Sequence, residues 1–146
     1  QTTEIIKKYC HVEYKIDDRL IELDMGQFTM MPYQEIFNKH GNVFLKFYSG
    51  SEEVTENGVE TFAEVKKRIN EMVDFVISKH KNDNVVLITH MDPIKAIIGK
   101  VLKLNSEVLF ELIIANASLS IIKNHDQNLY LTAINAMYPE RFHESF

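Results

Sequence analysis

The sequence predicts a layered α/β domain, and three observations lead to this fold class. The run 85–89 holds five apolar or β-branched residues without a break and is followed by a helix pattern. Such a run is typical of a strand buried on both faces of a parallel sheet that helices cover. A long amphipathic helix pattern precedes the run, and two alternating segments follow it. Helices and strands therefore alternate along one chain, as they do in layered α/β domains.

The first part of the chain contains short elements. Residues 3–10 place Ile5, Ile6 and Tyr9 at helical spacing, which predicts a short helix. Residues 11–16 alternate between apolar and polar side chains, which predicts a strand with one buried face. The other elements predicted before the long helix are a turn at 17–19, a helix at 32–39, a short helix or buried loop at 42–48, and an exposed polar loop at 50–58.

Two helices have the clearest apolar faces. The pattern over 60–81 repeats apolar residues every three or four positions, and 93–103 does the same. Charged side chains occupy the opposite face of the first of these helices, so we expect its apolar face to pack into the core. The residues expected to face inward are Phe62, Val65, Ile69, Met72, Val73, Val76 and Ile77 in the first helix, and Ile94, Ile97, Ile98, Val101 and Leu102 in the second.

His90 stands at the junction between the apolar run and the second of these helices. Asp92 is a suitable N-cap for that helix, and Pro93 suits the first helical position. His90 is therefore predicted at the carboxyl end of a buried strand, beside the free N–H groups of a helix. Ligands of open α/β sheets bind in that crevice, and helix N-termini favour anions. The alternative is a structural histidine that caps a turn.

The C-terminal third predicts a β-hairpin. Residues 117–122 and 129–134 both have strand patterns, and the polar segment 123–128 between them is typical of a turn. Residues 106–114 fit either a helix or a strand, and the tail from Pro139 has no informative pattern.

Composition excludes several classes of protein. A chain of 146 residues fits one domain, 1–146, and its net charge of −5 disfavours binding to nucleic acid or to an anionic membrane. Cys10 is the only cysteine, so no intramolecular disulfide and no cysteine-ligated metal is expected, and the reducing cytoplasm is the expected compartment. No apolar run is long enough to span a membrane.

Five stretches of the sequence carry motifs that occur together, in this order, in one protein family. The first, QTTEII (1–6), lies in a predicted helix; the second, LIELDMG (20–26), matches the pattern L-x-E-x-x-x-G; and the third, GVET (58–61), matches G-x-E-S/T at the start of a long helix. The fourth is VLITH (86–90) followed by IK (94–95), which matches a strand that ends in S/T-H before a helix. The fifth is NASLS (116–120) with AIN (133–135), which corresponds to the last two strands. Each motif alone is weak, but their order is specific. Over almost its whole length the chain resembles the histidine phosphatase superfamily, the phosphoglycerate-mutase-like proteins.

The resemblance implies a fold, a reaction and roles for two residues. The fold is a three-layer αβα sandwich with a mostly parallel sheet and a C-terminal hairpin. The reaction transfers a phosphoryl group from a small phosphorylated metabolite to a histidine, and then to water or back to substrate, with neither cofactor nor metal. Glu22 is expected to be the general acid and base, and His90 to stabilise the phosphoryl group without attacking it. Glu60 is expected to be a helix-start residue, stabilised by the helix dipole.

The sequence departs from the family pattern in several places. The family's R-H-G motif, whose histidine is the nucleophile, does not occur in residues 1–146, so the nucleophile is expected upstream of Gln1. The first strands of the sheet are expected to be missing with it. No arginine of the chain matches a phosphate-clamping position; the arginines are Arg19, Arg68 and Arg141. Met91 and Asp92 replace the family's usual glycine and its neighbour, which is expected to narrow the pocket mouth and add a negative charge.

Other functions stay open at this stage. One alternative is a non-catalytic α/β binding module, that is, a degenerate relative of the family that lacks the nucleophile. Another is a phosphoglycerate mutase instead of a phosphatase. A metal-dependent hydrolase would use His11, Glu13, Asp17 and Asp18, because two of these side chains would share one face of a strand. Solvated polar residues beside a turn explain the same spacing. The sequence does not determine the oligomeric state, and a homodimer is compatible with it.

Overall fold

The computed structural model describes residues 2–137 of the chain. Within them lie seven α-helices, two short 3₁₀ turns and one two-stranded sheet. The helices are α1 (Thr2–Cys10), α2 (Tyr33–His40), α3 (Val43–Ser49), α4 (Glu52–Glu56), α5 (Phe62–Lys79), α6 (Met91–Leu102) and α7 (Ser106–Glu111); the strands are β1 (Leu119–His125) and β2 (Asn128–Ala136); the 3₁₀ turns are Asp18–Leu20 and Gly26–Phe28. None of the helices described between residues 2 and 137 has the length and hydropathy needed to cross a bilayer.

Helices α5 and α6 pack against each other at the centre of the core. Thr61 and Glu64 form a reciprocal capping box that starts α5, two residues later than the pattern predicts. Of the residues expected to face inward, seven are buried, whereas Leu102 at the end of α6 is 48% exposed. The buried seven are Phe62, Val65, Ile69, Met72 and Val73 of α5, and Ile97 and Ile98 of α6.

An aromatic cluster joins α3 to α5. The ring of Tyr48 stacks on that of Phe62 at 4.3 Å between centroids, and Phe47 meets the ring of Phe62 edge-on at 5.6 Å. Residues 42–48 therefore contribute a helix to the core. The prediction of an exposed loop over 50–58 is wrong in its middle, because α4 forms there and buries Val54.

Two of the predicted strands are not formed within the described residues. Segments 11–16 and 85–90 are irregular, and the only paired strands between residues 2 and 137 are β1 and β2. Val86 is 68% exposed and Ile16 is 85% exposed, so neither segment is buried as expected. A strand requires a neighbour that pairs with its N–H and C=O groups, and no apolar pattern supplies that neighbour by itself.

The C-terminal hairpin confirms the sequence prediction. Strands β1 and β2 pair antiparallel, and His125 faces Asn128 across the turn. The two turn residues, Asp126 and Gln127, both have positive φ angles of 49° and 64°, as in the tight turns that connect two-stranded hairpins. The hairpin packs on α6 through β2.

Two glycines from different motifs lie against each other. Gly26, which ends LIELDMG, has a φ of 49°, and a Cβ atom at this position would lie 2.4 Å from the backbone carbonyl of Gly58, the first residue of GVET. The N–H of Gln27 donates to the carbonyl of Asn57 at 3.0 Å beside them. The two motifs therefore form one packed unit, which positions the segment that contains Glu22.

We predict that Gly26→Ala destabilises the protein much more than Gly50→Ala does. Both glycines have positive φ, which costs an alanine about 1–2 kcal/mol. Only at Gly26 does the new methyl group overlap the backbone of Gly58, which adds roughly 1–3 kcal/mol. Urea denaturation of both variants measures the difference in the free energy of unfolding. Equal losses for the two variants would contradict the close approach of Gly26 to Gly58.

Candidate active site

Arg68 holds the segment that contains Glu22. From α5, its guanidinium donates to the backbone carbonyls of Arg19 at 2.7 Å, Ile21 at 2.9 Å and Glu22 at 3.3 Å. The rigid planar guanidinium suits this task, because it presents several N–H donors in fixed directions. The irregular segment 19–22 is thereby fixed to the first half of α5.

Glu60 completes this contact. Its carboxylate accepts two hydrogen bonds from Arg68, at 2.6 and 2.8 Å, and the pair is mostly buried. The backbone N–H of Glu60 also donates to the carbonyl of Asp24 at 2.8 Å. The expected role of Glu60 as a dipole-stabilised helix start is therefore wrong, because Thr61 and Glu64 cap the helix and Glu60 is engaged by Arg68.

Glu22 is half-buried, and its environment favours the protonated carboxyl group. Burial raises its pKa above the ordinary value, and the negative charge of Asp92 adds to the rise. The N–H of Leu23, which donates to Glu22 Oε1 at 2.9 Å, and the nearby imidazole of His90 act in the opposite direction. A carboxyl group of this kind can give a proton to a leaving oxygen and take one from water.

His90 lies at the N-terminus of α6, within electrostatic range of Glu22. It is the N-cap residue by backbone position, its side chain makes no capping hydrogen bond, and it is exposed. The hydroxyl of Thr89 donates to the carbonyl of Leu20 at 2.7 Å, which ties the two segments together. The sequence prediction that His90 stands beside a helix N-terminus is confirmed, although no strand leads into it.

Asp92 lies behind His90 and points into the protein. It is 2% exposed and accepts a hydrogen bond from the hydroxyl of Tyr48, and the Lys95 ammonium lies 5.0 Å from the centroid of the Tyr48 ring. Burial raises the pKa of Asp92 and lowers that of Lys95. Asp92 is therefore not the N-cap and does not narrow a pocket mouth, because its side chain is bonded to Tyr48 in the core. Its negative charge does act on the site, through the pKa of Glu22.

The two arginines that the structure describes are both engaged in internal contacts. Arg19 makes two hydrogen bonds to the carboxylate of Asp17, at 2.9 and 2.6 Å, and its guanidinium lies over the ring of Phe75. Arg68 is bonded to Glu60 and to three carbonyls, and Arg141 lies outside the described residues. The described part of the site therefore offers the imidazole of His90 and the N-terminus of α6 as partners for an anion.

The structure does not support the geometry assumed for the metal-dependent alternative. His11 has a φ of 52°, which interrupts the alternation of a strand, and Glu13 pairs with Lys7 at 3.1 Å. Asp17 is bonded to Arg19, which holds the pKa of that carboxyl down at about 2. Over residues 2–137 no three histidine, cysteine or acidic side chains form a group suited to a metal ion.

An open cleft of ≈ 490 Å³ borders Glu22. The chain from Ile21 to Met25 forms one side, and aromatic and methionine side chains form most of the rest. Its other lining residues are Phe28, Thr29, Met30, Met31, Tyr33, Ile36 and Phe44. The sequence pattern does not reveal this cleft, because its walls come mostly from segments without a regular pattern.

The profile of the histidine phosphatase superfamily (branch 1) matches residues 1–137. The chain belongs to this superfamily. Phosphoserine phosphatase 1 of Hydrogenobacter thermophilus is 26% identical over 119 residues, which are 82% of this chain and 56% of that protein. This histidine phosphatase superfamily chain therefore spans little more than half the length of that curated relative.

Solved structures show the same fold. YhfR of Bacillus stearothermophilus superposes with a TM-score of 0.83 at 20% identity, over 94% of this chain and 68% of that one. A mycobacterial glucosyl-3-phosphoglycerate phosphatase bound to inorganic phosphate superposes with a TM-score of 0.78 at 20% identity, over 92% and 70% of the two chains. The α/β class and the family suggested by the sequence motifs are therefore confirmed.

The residues that support the site are not evident from the sequence pattern. Arg68 and Tyr48 were not expected to act there, and Asp92 was expected at the pocket mouth and not in the core. Each depends on a partner distant in the chain: Tyr48 and Asp92, for example, are 44 positions apart. One sequence feature could have indicated the contact between Glu60 and Arg68: the GVET motif places a carboxylate just before a helix that contains an arginine.

Proposed function

We propose that the protein containing these residues is a phosphatase that acts on a small phosphomonoester through a phosphohistidine. The observation that carries the proposal is that the half-buried Glu22, whose pKa is raised by burial, lies within electrostatic range of His90 at the exposed N-terminus of α6. Membership of the superfamily supports the reaction class, and two of the relatives described above are named as phosphatases, which favours hydrolysis over a mutase reaction.

In the proposed reaction a histidine outside residues 1–146 attacks the phosphorus atom. The P–N bond forms as the bond between phosphorus and the leaving oxygen breaks, and Glu22 gives its proton to that oxygen. Water then attacks the phosphohistidine, Glu22 takes the proton from the water, and the P–N bond breaks to release phosphate. His90, when protonated, stabilises the negative charge on the phosphoryl oxygens in both steps.

We also propose that segments 11–16 and 85–90 are strands of a mostly parallel sheet in the complete protein. Their exposed apolar side chains, among them Val85 and Val86 at 40% and 68%, support this, because such residues are normally covered by a neighbouring layer. The covering strands and helices would come from polypeptide outside residues 1–146. The result would be a three-layer αβα sandwich.

We predict that the full-length protein releases inorganic phosphate from phosphomonoesters without added divalent metal, and in the presence of EDTA. Residues 1–146 alone are expected to be inactive, because the nucleophile is assigned elsewhere. A colorimetric phosphate assay measures both. Activity of residues 1–146 alone, or an acid-labile phosphorylated residue within them, would contradict the assignment of the nucleophile. A full-length protein that binds phosphate without turnover would support the non-catalytic binding module.

A further inference from the structure

We propose that the cleft beside Glu22 binds the organic part of the substrate, and that this part is uncharged and apolar, as in an aryl or arylalkyl phosphate. The proposal rests on the proposed function, since it concerns the substrate of the same site. It goes further by naming the substrate class, which differs in charge from phosphoserine, the compound named in one relative.

The position of the cleft connects it to the chemistry. Glu22, the proposed proton donor, is one of its lining residues, and Leu23 to Met25 continue the wall. A leaving oxygen that receives its proton from Glu22 is attached directly to the organic part of the ester. That part must therefore lie next to Glu22, and the cleft is the concave surface found there.

The walls of the cleft are apolar and aromatic. Phe28, one of the lining residues, is 5% exposed, and Tyr33 and Phe44 lie with their ring centroids 5.7 Å apart. Met30 and Met31 add flexible thioether side chains, and Met30 is 96% exposed at the rim. Aromatic and methionine side chains favour apolar and aromatic ligands, and methionine adapts its shape to them.

The charge of the cleft selects against acidic ligands. None of the described residues that line it is lysine, arginine or histidine, and its two ionisable groups are the carboxyls of Glu22 and Asp24. The Asp24 carboxylate accepts one hydrogen bond from the N–H of Gly26, at 2.9 Å. A substrate carboxylate in the cleft would meet these acidic groups without a compensating cation, which is costly.

The size of the cleft fits a small aromatic group. A volume of ≈ 490 Å³ lies within the range of about 300–1,000 Å³ that small-molecule sites span. A phenyl or phenylethyl group can be enclosed by the aromatic and methionine side chains while the phosphate points toward His90.

Two pairs of ligands test the proposal in the full-length protein. Turnover of 2-phenylethyl phosphate is compared with turnover of phosphoserine, because both leaving groups are alkyl alcohols. Binding of 3-phenylpropylphosphonate is compared with binding of 2-amino-4-phosphonobutanoate by calorimetry, which needs no turnover. We expect the phenyl ligand of each pair to be favoured at least about tenfold, in kcat/KM and in Kd.

Met30→Lys then places a cation at the rim, with Val108→Lys on α7 as a control of equal charge outside the cleft. We expect Met30→Lys to lower the preference for the phenyl ligand about tenfold, and Val108→Lys to leave it unchanged. Equal or better binding of the acidic ligand by the unmodified protein, or equal effects of the two lysines, would overturn the proposal. If no ester is turned over, the proposed function fails while the phosphonate titrations still decide the cleft assignment.

Discussion

Replacement of His90 by alanine in the full-length protein is expected to lower kcat by roughly 10²–10³-fold, because it removes a cationic partner of the transferring phosphoryl group. The fold should be retained. His90 is exposed and its side chain does not cap α6, so alanine leaves no cavity and no unpaired buried group. Steady-state kinetics with a phosphomonoester, together with the thermal unfolding curve, measures both effects.

His125→Ala is the matched control for His90→Ala. His125 lies in β1 with 81% of its side chain exposed, far along the chain from the site. Its replacement should leave kcat unchanged. Turnover of the His90→Ala variant at the unmodified rate, with an intact fold, would remove His90 from the site and favour the structural interpretation of this histidine.

Replacement of Glu22 by glutamine is expected to lower kcat for alkyl phosphates by about 10²–10⁴-fold, the usual contribution of a positioned general acid. Glutamine keeps the size of the side chain and can still accept the hydrogen bond from the N–H of Leu23. The glutamine amide, however, cannot protonate the leaving oxygen. For 4-nitrophenyl phosphate, kcat/KM, which reports only the attack of the histidine on the ester, should fall much less, because the leaving phenolate needs little protonation.

The pH profile provides a second measurement on Glu22. Donation of a proton to an alkyl leaving group requires the protonated carboxyl, so kcat/KM should fall as the pH rises through the pKa of Glu22. Burial shifts this descending limb upward from the ordinary range of a glutamate. The limb should disappear in Glu22→Gln. Glu13→Gln, whose carboxylate is 90% exposed, should keep it. An unchanged profile in Glu22→Gln would assign the limb to another group.

The segment that contains Glu22 is held in place by hydrogen bonds from residues distant in the sequence. Arg68 reaches back 49 positions to the carbonyl of Arg19, and Thr89 reaches back 69 positions to that of Leu20. Such contacts fix the segment of the proposed acid without regular secondary structure of its own. A site of this kind needs rigid support, because small displacements of a proton donor reduce its efficiency.

Local patterns in the sequence determined the two longest helices, most of their buried residues and the C-terminal hairpin. The periodicity of α5 and α6 gave their positions and most of their buried residues, and the alternation before and after the polar turn gave the hairpin. Both patterns depend on neighbours within a few positions in the chain, which is why the sequence contains them. The order of five short motifs was sufficient to identify the superfamily.

Tertiary structure decided the features that depend on distant partners. The apolar run 85–90 has a strand composition but no pairing strand among the described residues, so its form was not determined locally. Aspartate is a residue type that favours the N-cap position, yet the carboxylate of Asp92 accepts a hydrogen bond from Tyr48, which lies 44 positions earlier. The packing of Gly26 on Gly58 and the apolar cleft next to Glu22 likewise exist only in three dimensions. Hydrogen bonding and burial are properties of pairs, and a single position in a sequence does not specify its partner.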